Sequence, residues 1–404
     1  MRILYLHQYF NLPSMSGGTR SFEMARRFVE WGHEVHMITS DRSNQNTSST
    51  WRVTTEAGMT VHWLAVPYSN RLSYQERIRS FFKFAWGAAT RAAAIPADVV
   101  FATSTPLTIA LPAIYAARRQ RIPMVFEVRD LWPDLPIVIG ALRGSLPIML
   151  ARWLEKFAYD NSSAVVALSP GMKEGVVRRG YPEARVHVIP NSCDLDLFQV
   201  SPEAGKAFRS RYAWLGERPL MLYAGAFGKV NDVGYMAKLA SVVQSLMPDV
   251  RFLAVGDGAE FDAVQTLAQE LGVLNKNFFV LPKIPKADIP ALFSAATVVS
   301  TLLVTIPGRI WDNSSNKFFD GLAAGRPVVT NYGGWQADLL RMCGAGVVLN
   351  EYDIPQAAQQ LVDFLTDEQK LAHAGEAALR LAHERFARDN LARQLEKVLI
   401  STTL

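Results

Sequence analysis

The sequence of 404 residues predicts an α/β protein with two doubly wound, Rossmann-like domains that face one cleft. Three observations support this fold class. The length suits two domains of ordinary size, and 49% hydrophobic with 20% charged residues is typical of a globular protein with large cores. In both halves, short apolar strands alternate with amphipathic helices. Each half therefore predicts a parallel sheet that is covered by helices.

The first half opens with a predicted βαβ unit, in which strands at residues 3–9 and 34–39 flank a helix at 19–31. Gly17 and Gly18 lie between the first strand and the helix. Glycines here let the backbone approach a ligand, and the start of the helix offers N–H donors. The pattern is not G-x-G-x-x-G, so a dinucleotide enzyme gains little support. A plain tight turn is the alternative interpretation.

Charged residues follow the predicted strand at residues 124–128, where the sequence reads R-D-L-W-P-D from Arg129 to Asp134. Ligand sites of parallel α/β sheets lie at the carboxyl ends of their strands. Arg129 and Asp130 are therefore candidate site residues. Capping of the following turn by Asp130 is a competing, structural role.

In the second half, the candidate ligand-binding residues are concentrated in the stretch from Asp312 to Gly334. Polar N-cap residue types precede a predicted helix at 317–324, Gly325 ends it, and residues 328–330 form a β-branched strand. A cation, Lys317, stands where the free N–H groups of the helix already favour anions. Asp312 and Asp320 flank that cation. A capped helix with a surface ion pair is the alternative.

These stretches resemble the retaining GT-B glycosyltransferases of glycosyltransferase family 4, in which two Glu flank a Lys ahead of a Gly-x-Pro-Val-Val strand. The present chain has Asp at both Glu positions. The resemblance implies that Asp312 contacts the hydroxyls of the donor sugar and that Asp320 binds the ribose. It also implies that Lys317 is the main cation for the donor diphosphate.

The same resemblance assigns the remaining site residues. Many relatives have His-Asp where this chain has Arg129 and Asp130, close to the reacting sugar, and an Arg that grips the diphosphate is missing near Gly225. Lys229 is a partial substitute for it, and residues 282–284 stand where relatives hold the base through backbone groups. The implied donor-binding residues are Gly17, Gly18, Gly225, Lys229, Ile284, Asn313, Ser315, Asn316 and Asp320.

The R-D-L-W-P-D form resembles a branch with N-acetylfucosamine-transferase-like enzymes of O-antigen and capsule assembly. This implies retaining transfer of an N-acetylated hexosamine or deoxyhexosamine from a UDP-sugar, with no metal, to a saccharide linked to polyprenyl diphosphate. Two alternatives stay open, because fold alone does not decide function. One is a sugar-nucleotide 2-epimerase of GT-B fold, and the other is a catalytically silent subunit that binds nucleotide sugars.

The sequence also sets expectations for domains and surroundings. We expect an acceptor-binding domain at 1–198, a nucleotide-sugar domain at 199–385 with a linker near 196–215, and a last helix at 386–404 that crosses back to the first domain. Cys193 and Cys343 stand outside any C-x-x-C pair, which suits a reducing cytosol. A signal peptide, a membrane span and nucleic-acid motifs are not predicted.

The net charge of +5 suits an anionic partner such as phosphates or an acidic membrane. A predicted helix at 72–94 repeats apolar residues at helical spacing, and we expect its cations Arg79 and Lys83 on the opposite side, with Arg77 and Arg91 at the margins. Such a helix can lie in an anionic membrane interface or pack on the sheet of its own domain. The first reading places the protein at the inner, cytoplasmic face of the cell membrane. The stripe comprises Ile78, Phe81, Phe82, Ala85, Trp86 and Ala89.

Overall fold

The computed structural model describes residues 1–15, 17–42, 51–67, 74–104, 106–138, 140, 142–306 and 313–404. The chain forms two compact units, one of Met1–Pro190 with Asp389–Leu404 and one of Asn191–Arg388. Both units are α/β and contain mostly parallel sheets, so the predicted fold class of two Rossmann-like domains is confirmed.

The first unit has eight strands, which are β1 (Arg2–Leu6), β2 (Glu34–Asp41), β3 (Trp51–Glu56), β4 (Met59–Ala65), β5 (Val99–Thr103), β6 (Met124–Val128), β7 (Ala164–Ala167) and β8 (Val186–Val188). They form one sheet in the order β3-β4-β2-β1-β5-β6-β7-β8. The pairs are parallel except for β3 with β4. The central strands are mostly apolar because helices cover both faces of a parallel sheet.

The helices of this unit are α1 (Arg20–Glu30), α2 (Tyr74–Ala94), α3 (Ala110–Gln120), α4 (Asp134–Val138), α5 (Ser145–Asp160) and α6 (Pro170–Arg178). Buried residues of α2, α3, α5 and α6 share one hydrophobic core with the sheet. In this core α2 contacts α3, and α3 contacts α5. The three helices therefore lie side by side.

The prediction that the apolar residues of α2 form one stripe on a single face is wrong. Ala85 is buried, and the other buried side chains of α2 are those of Phe84, Ala88 and Ala92 rather than the predicted aromatics. Phe82 and Trp86 are 54% and 81% exposed, on the same side as the exposed Arg79 and Lys83. Small alanines fit the close approach of α3, and the bulky rings are left outside.

One strand was not predicted. It is β3, which begins at Trp51, directly after residues 43–50, which lie outside the described part of the chain. Ala57 and Gly58 have φ of 46° and 81° and turn the chain back into β4. The signal in the sequence is this Ala-Gly turn between two β-branched segments.

The second unit contains six parallel strands in the order β11-β10-β9-β12-β13-β14. Their bounds are β9 (Leu220–Ala226), β10 (Arg251–Asp257), β11 (Phe278–Pro282), β12 (Val298–Thr301), β13 (Val328–Thr330) and β14 (Gly346–Val348). The helices are α7 (Leu195–Phe198), α8 (Pro202–Ser210), α9 (Val233–Leu246), α10 (Phe261–Glu270), α11 (Ile289–Ala295), α12 (Asn316–Ala323), α13 (Trp335–Cys343), α14 (Ile354–Thr366) and α15 (Glu368–Glu384).

The units divide at Pro190 and again at Arg388, whereas the sequence placed its boundaries at 198 and 386. The expected linker at 196–215 holds α7 and α8 instead of extended chain, since Pro202 starts a helix at its first turn. A last helix, α16 (Arg388–Ser401), belongs to the first unit from Asp389 onward. There His33 pairs with Glu396 at 2.7 Å. Within the described ranges, no helix is both long and apolar enough to cross a membrane.

Candidate functional site

The loop before α12 is fixed by hydrogen bonds inside the second unit. The backbone N–H of Asn191 donates to Ser314 Oγ at 3.0 Å, and its side-chain Nδ2 donates to Ser314 O at 2.6 Å. The indole Nε1 of Trp335 donates to Asn313 O at 2.7 Å. Ser315 is the N-cap, and its hydroxyl accepts from Thr301 at 3.0 Å instead of capping the helix. The first N–H groups of α12 are thus not capped by this side chain.

The side chain of Lys317 extends from the first turn of α12 toward the end of β9. Its Nζ lies 5.0 Å from the ring centroid of Tyr223, which is a cation–π distance. A Cβ atom placed on Gly225 would lie 3.1 Å from Nζ and 3.2 Å from Cδ of Lys317. Gly225 therefore leaves the space that the lysine occupies, and the structure brings these two predicted residues together.

Burial perturbs both titratable groups of α12. Desolvation lowers the pKa of Lys317 to about 8, although the Asp320 carboxylate acts in the opposite direction. Desolvation, followed by the carboxylate of Asp194, raises the pKa of Asp320 to about 7. The cations Arg388, Lys317 and Lys286 oppose that rise. Perturbed groups of this kind are typical of functional sites.

Lys286, in the turn Lys286–Asp288, is a cation that the sequence analysis did not select. Its ammonium acts on Asp320 across a separation of 34 residues in the sequence. The available signal was the K-I-P-K pair of lysines around Ile284. Ile284 itself is half-buried just after β11.

A cavity of about 220 Å³ lies at the carboxyl ends of β10 and β11. It is lined by Gly256, Asp257, Phe261, Pro282 and Lys283. Gly256 pairs with Gly225 across the sheet, and a Cβ on Gly256 would approach Gly225 O to 1.8 Å. The cavity and the Lys317 recess therefore adjoin the same pair of glycines, at the edge of the sheet where parallel α/β folds bind ligands.

The other predicted residues of this unit are placed as follows. Asn313 is half-buried, Asn316 is the exposed first residue of α12, and Asp312 lies outside the described residues. Lys229 is exposed in the turn after β9, and its contact with a phosphate stays a prediction.

The predicted residues of the first unit stand at the carboxyl ends of neighbouring strands. Arg129 follows β6, and its backbone N–H donates to Ser104 Oγ at 3.0 Å. Its guanidinium Nη1 lies 3.4 Å from Nε2 of His7, which follows β1. Burial, then the charges of Arg129 and Arg42, hold the pKa of His7 well below its usual range, so this imidazole is neutral. His7 was not selected from the sequence. Asp130 is half-buried beside Arg129.

The glycine loop of the first unit is held by Asn11. Gly17 has φ +112°, and a Cβ there would approach Asn11 Nδ2 to 2.7 Å. The same Nδ2 donates to Gly18 O at 3.2 Å. Gly17 therefore needs both the conformational freedom and the space of a glycine.

A buried ion pair fixes the start of α1 directly after this loop. Arg20 donates through Nε and Nη2 to Glu127 Oε1 at 3.0 and 2.9 Å. Thr103 Oγ1 donates to Glu127 Oε2 at 2.6 Å, and Arg20 also donates to Ile189 O and Pro190 O. This pair was not predicted from the sequence, although Glu127 is a charge inside the otherwise apolar strand M-V-F-E-V. It links the glycine loop to the strand that precedes Arg129.

In chemical terms, the second unit can bind a phosphorylated ligand. The Lys317 ammonium and the N–H groups at the start of α12 favour anionic oxygens. The adjoining cavity offers apolar and polar walls to a ring. Asp320 can accept hydrogen bonds from hydroxyl groups once it is ionised.

Comparison with known proteins identifies this arrangement. Residues 17–192 match the glycosyl transferase 4-like domain, and residues 206–380 match the glycosyl transferases group 1. The GDP-mannose-dependent alpha-(1-6)-phosphatidylinositol monomannoside mannosyltransferase of Mycolicibacterium smegmatis is 23% identical over 72% of each chain.

Two solved structures share the fold over nearly the whole chain. Sucrose-phosphate synthase from Thermosynechococcus elongatus has a TM-score of 0.79 and 16% identity, with 99% of this chain and 98% of that chain covered. HepE of Anabaena, solved with UDP-glucose, has a TM-score of 0.73 and 18% identity, with 99% and 100% covered. Both halves of the chain thus match glycosyltransferase models, and the protein belongs to the GT-B glycosyltransferases of glycosyltransferase family 4.

Proposed function

We propose that this glycosyltransferase transfers a sugar from a UDP-sugar to a lipid-linked saccharide, with retention of the anomeric configuration. The observation that carries the proposal is the recess at Gly225, where the Lys317 ammonium lies beside the start of α12 and the cavity of about 220 Å³. A diphosphate fits the cation and the helix N–H groups. We assign the nucleobase to the cavity, whose wall includes Pro282 and Lys283, the residues next to Ile284.

In the proposed reaction, the bond between the anomeric carbon and the diphosphate breaks, and its electron pair leaves with the nucleotide. Lys317 and the N–H groups of α12 stabilise that developing charge, a preorganised electrostatic role of the kind usually worth several kcal/mol. The acceptor hydroxyl attacks the same face of the sugar and passes its proton to the leaving phosphate. No separate protein base and no metal are then required.

The remaining residues take binding roles. Asp320 accepts hydrogen bonds from the ribose, Asp312 from the donor sugar, and Arg129 with Asp130 orients the reacting sugar. His7 beside Arg129 is consistent with this last role, because a neutral imidazole places no second positive charge next to the guanidinium.

Donor and acceptor are argued from the relatives. HepE was solved with UDP-glucose, which supports a UDP-sugar, whereas the mycobacterial relative uses GDP-mannose. The name of that relative includes phosphatidylinositol, which supports a lipid-linked acceptor. We propose an N-acetylated hexosamine or deoxyhexosamine as the sugar and a polyprenyl diphosphate as the lipid carrier. The product then enters cell-surface polysaccharide such as O-antigen or capsule.

A membrane acceptor requires the protein to work at the inner face of the cell membrane. The outward side of α2 supports this location, because exposed Phe82 and Trp86 stand with Arg79 and Lys83. Cations near an anionic surface add about 1 kcal/mol each. Changing Arg79 and Lys83 to Glu should lower binding to anionic vesicles at low salt.

The test combines binding and product analysis. A ligand at 100 times its dissociation constant stabilises the protein by roughly 2.7 kcal/mol, so a thermal-shift screen of UDP- and GDP-sugars identifies the donor. The selected donor is then incubated with a polyprenyl-diphosphate saccharide in the presence of EDTA. Transfer to the lipid supports the proposal. A changed free sugar nucleotide indicates the 2-epimerase, and binding with no turnover indicates the silent subunit.

A further inference from the structure

The N-terminal half of helix α5 is largely uncovered, and Leu154 is where the helix begins to pack against the core. None of the residues from Ser145 to Leu154 is buried, and the first buried side chain of the helix is that of Glu155. The ten residues read S-L-P-I-M-L-A-R-W-L, which contains one cation and no acid. A helical segment this apolar would normally be covered by the rest of its domain.

Four large side chains form one stripe on this half of α5. Leu146, Met149, Leu150 and Trp153 follow the spacing i, i+3, i+4 and i+7, and they are 54–59% exposed. Glu155, Ala158 and Tyr159, which lie on other positions of the helix, are buried against the domain. The stripe therefore faces away from the core, and it is about 10 Å long at a rise of 1.5 Å per residue. Contiguous exposed apolar surface of this kind marks an interaction site.

The neighbouring helix continues the apolar surface. A shallow groove of about 430 Å³ lies between α3 and α5, lined by Leu111, Ile114, Tyr115, Arg118, Arg119 and Phe157. Trp153 stacks on Phe157 with ring centroids 5.1 Å apart. The guanidinium of Arg118 lies 5.7 Å from the centroid of the same Phe157 ring. Stripe and groove thus share an aromatic pair, with basic groups at the groove.

The charge around this surface is positive. On the described residues of α2, α3 and α5, the exposed acids are Glu76 and Asp160. Asp160 is paired with Lys156 at 2.9 Å. The exposed cations of the same helices are Arg79, Lys83, Arg118, Arg119, Arg152 and Lys156. An apolar stripe with Trp and Leu, bordered by Arg and Lys, has the composition of a helix that lies in a membrane interface.

We propose that the N-terminal half of α5 inserts its stripe into the interface of an anionic lipid bilayer, with Arg118, Arg119 and Arg152 on lipid phosphates. The inference rests on the proposed function for the presence of a membrane. The new part of the inference is that α5 inserts into the bilayer, whereas α2 contacts the lipid headgroups through its charges. A bilayer suits this surface because the excess of cations matches anionic headgroups, and arginine binds phosphate oxygens in a bidentate manner.

The experiment measures partition of the protein between buffer and vesicles of phosphatidylglycerol with phosphatidylethanolamine, without donor or acceptor. The test variant carries Leu146→Ser, Met149→Ser, Leu150→Ser and Trp153→Ser. Its matched control carries Met342→Ser and Tyr352→Ser, which change large exposed apolar side chains in the second unit. The stripe variant should lose at least about tenfold in partition at both low and high salt, since burying each such side chain is favourable independently of charge. The control should bind like wild type.

A second measurement uses brominated acyl chains, which quench tryptophans that enter the bilayer. Wild type should be quenched more than Trp153→Phe, and this comparison needs no large disturbance of the helix. Equal quenching of the two proteins, or undiminished partition of the stripe variant, would overturn the inference. A wild type that sediments as a dimer, with a monomeric stripe variant and unchanged vesicle binding, would make the stripe a protein interface instead. If wild type ignores vesicles but glycosylates a water-soluble acceptor, the membrane inference fails while glycosyl transfer stands.

Discussion

Asp320→Asn is expected to stabilise the ligand-free protein while it impairs nucleotide binding. Burial and the nearby Asp194 raise the pKa of Asp320 from 3.8 to about 7. A group whose pKa is raised on folding binds its proton more tightly in the native state. Ionised Asp320 therefore costs stability above pH 7. The cost shrinks as the pH falls from 7 to 4 and disappears only below the unfolded pKa of 3.8, where both states are protonated.

The size of the effect follows from the shift. Each pKa unit corresponds to about 1.36 kcal/mol, so a shift of roughly three units sets an upper bound of about 4 kcal/mol at pH 8. Asparagine has nearly the same shape and no charge. Asp320→Asn should therefore gain up to that amount of unfolding free energy at pH 8, progressively less between pH 7 and 4, and little at pH 4.

The assay is urea unfolding of wild type and Asp320→Asn at pH 4, 5.5, 7 and 8, together with UDP binding at pH 8. Asp338→Asn is the matched control, because its exposed carboxylate pairs with Arg341 at 3.0 Å and should contribute little at any pH. The variant should bind UDP more weakly, since a carboxylate that accepts from ribose is lost. A stability difference that does not change with pH, or an unchanged UDP affinity, would refute the reasoning.

Three further predictions concern the donor-binding role proposed for the second unit. Lys317→Ala should lower transfer by about two orders of magnitude, the scale of a lost transition-state donor, and Lys229→Ala should have a smaller effect; normal turnover of the first variant would rule out the assignment. Gly225→Ala places a methyl group 3.1 Å from Lys317 Nζ and should raise the donor KM by about tenfold, the value of one charged hydrogen bond, with folding intact because the lysine end can move. Asp312→Asn should slow transfer while free UDP binds normally in calorimetry, and a parallel loss of UDP affinity would contradict its role at the sugar.

Local sequence signals correctly predicted the helix and the strand between Asp312 and Gly334. The helix expected at 317–324 is observed as Asn316–Ala323, and the strand at 328–330 is observed as Val328–Thr330. Gly325, with φ +62°, ends the helix as its position predicted. These features depend on residues within one or two turns of each other, so sequence alone contains the information.

Groups that act across the sheet could not be predicted in this way. His7 follows β1 and Arg129 follows β6, and their approach depends on β1, β5 and β6 being neighbours in the sheet. The Arg20–Glu127 pair spans 107 residues. Lys286 interacts electrostatically with Asp320 because the second unit folds so that these two residues approach each other. Strand order decides each of these contacts, and spacing in the sequence does not encode it.

The helices α2 and α5 show a different limit of sequence reasoning. Periodicity identifies an apolar face, but it does not say whether protein or another phase covers that face. In α2 the buried face is made of Phe84 and small alanines, and Trp86 points outward. In α5 the larger apolar side chains again lie outside, while Glu155 is buried with Arg179 at 2.9 Å. Placing the bulky residues outside and a carboxylate inside costs stability in water. The helices α2 and α5, which both contact α3, share this inversion and have cations alongside. The inversion is what we expect if the proposed anionic membrane interface covers the outward sides of both helices.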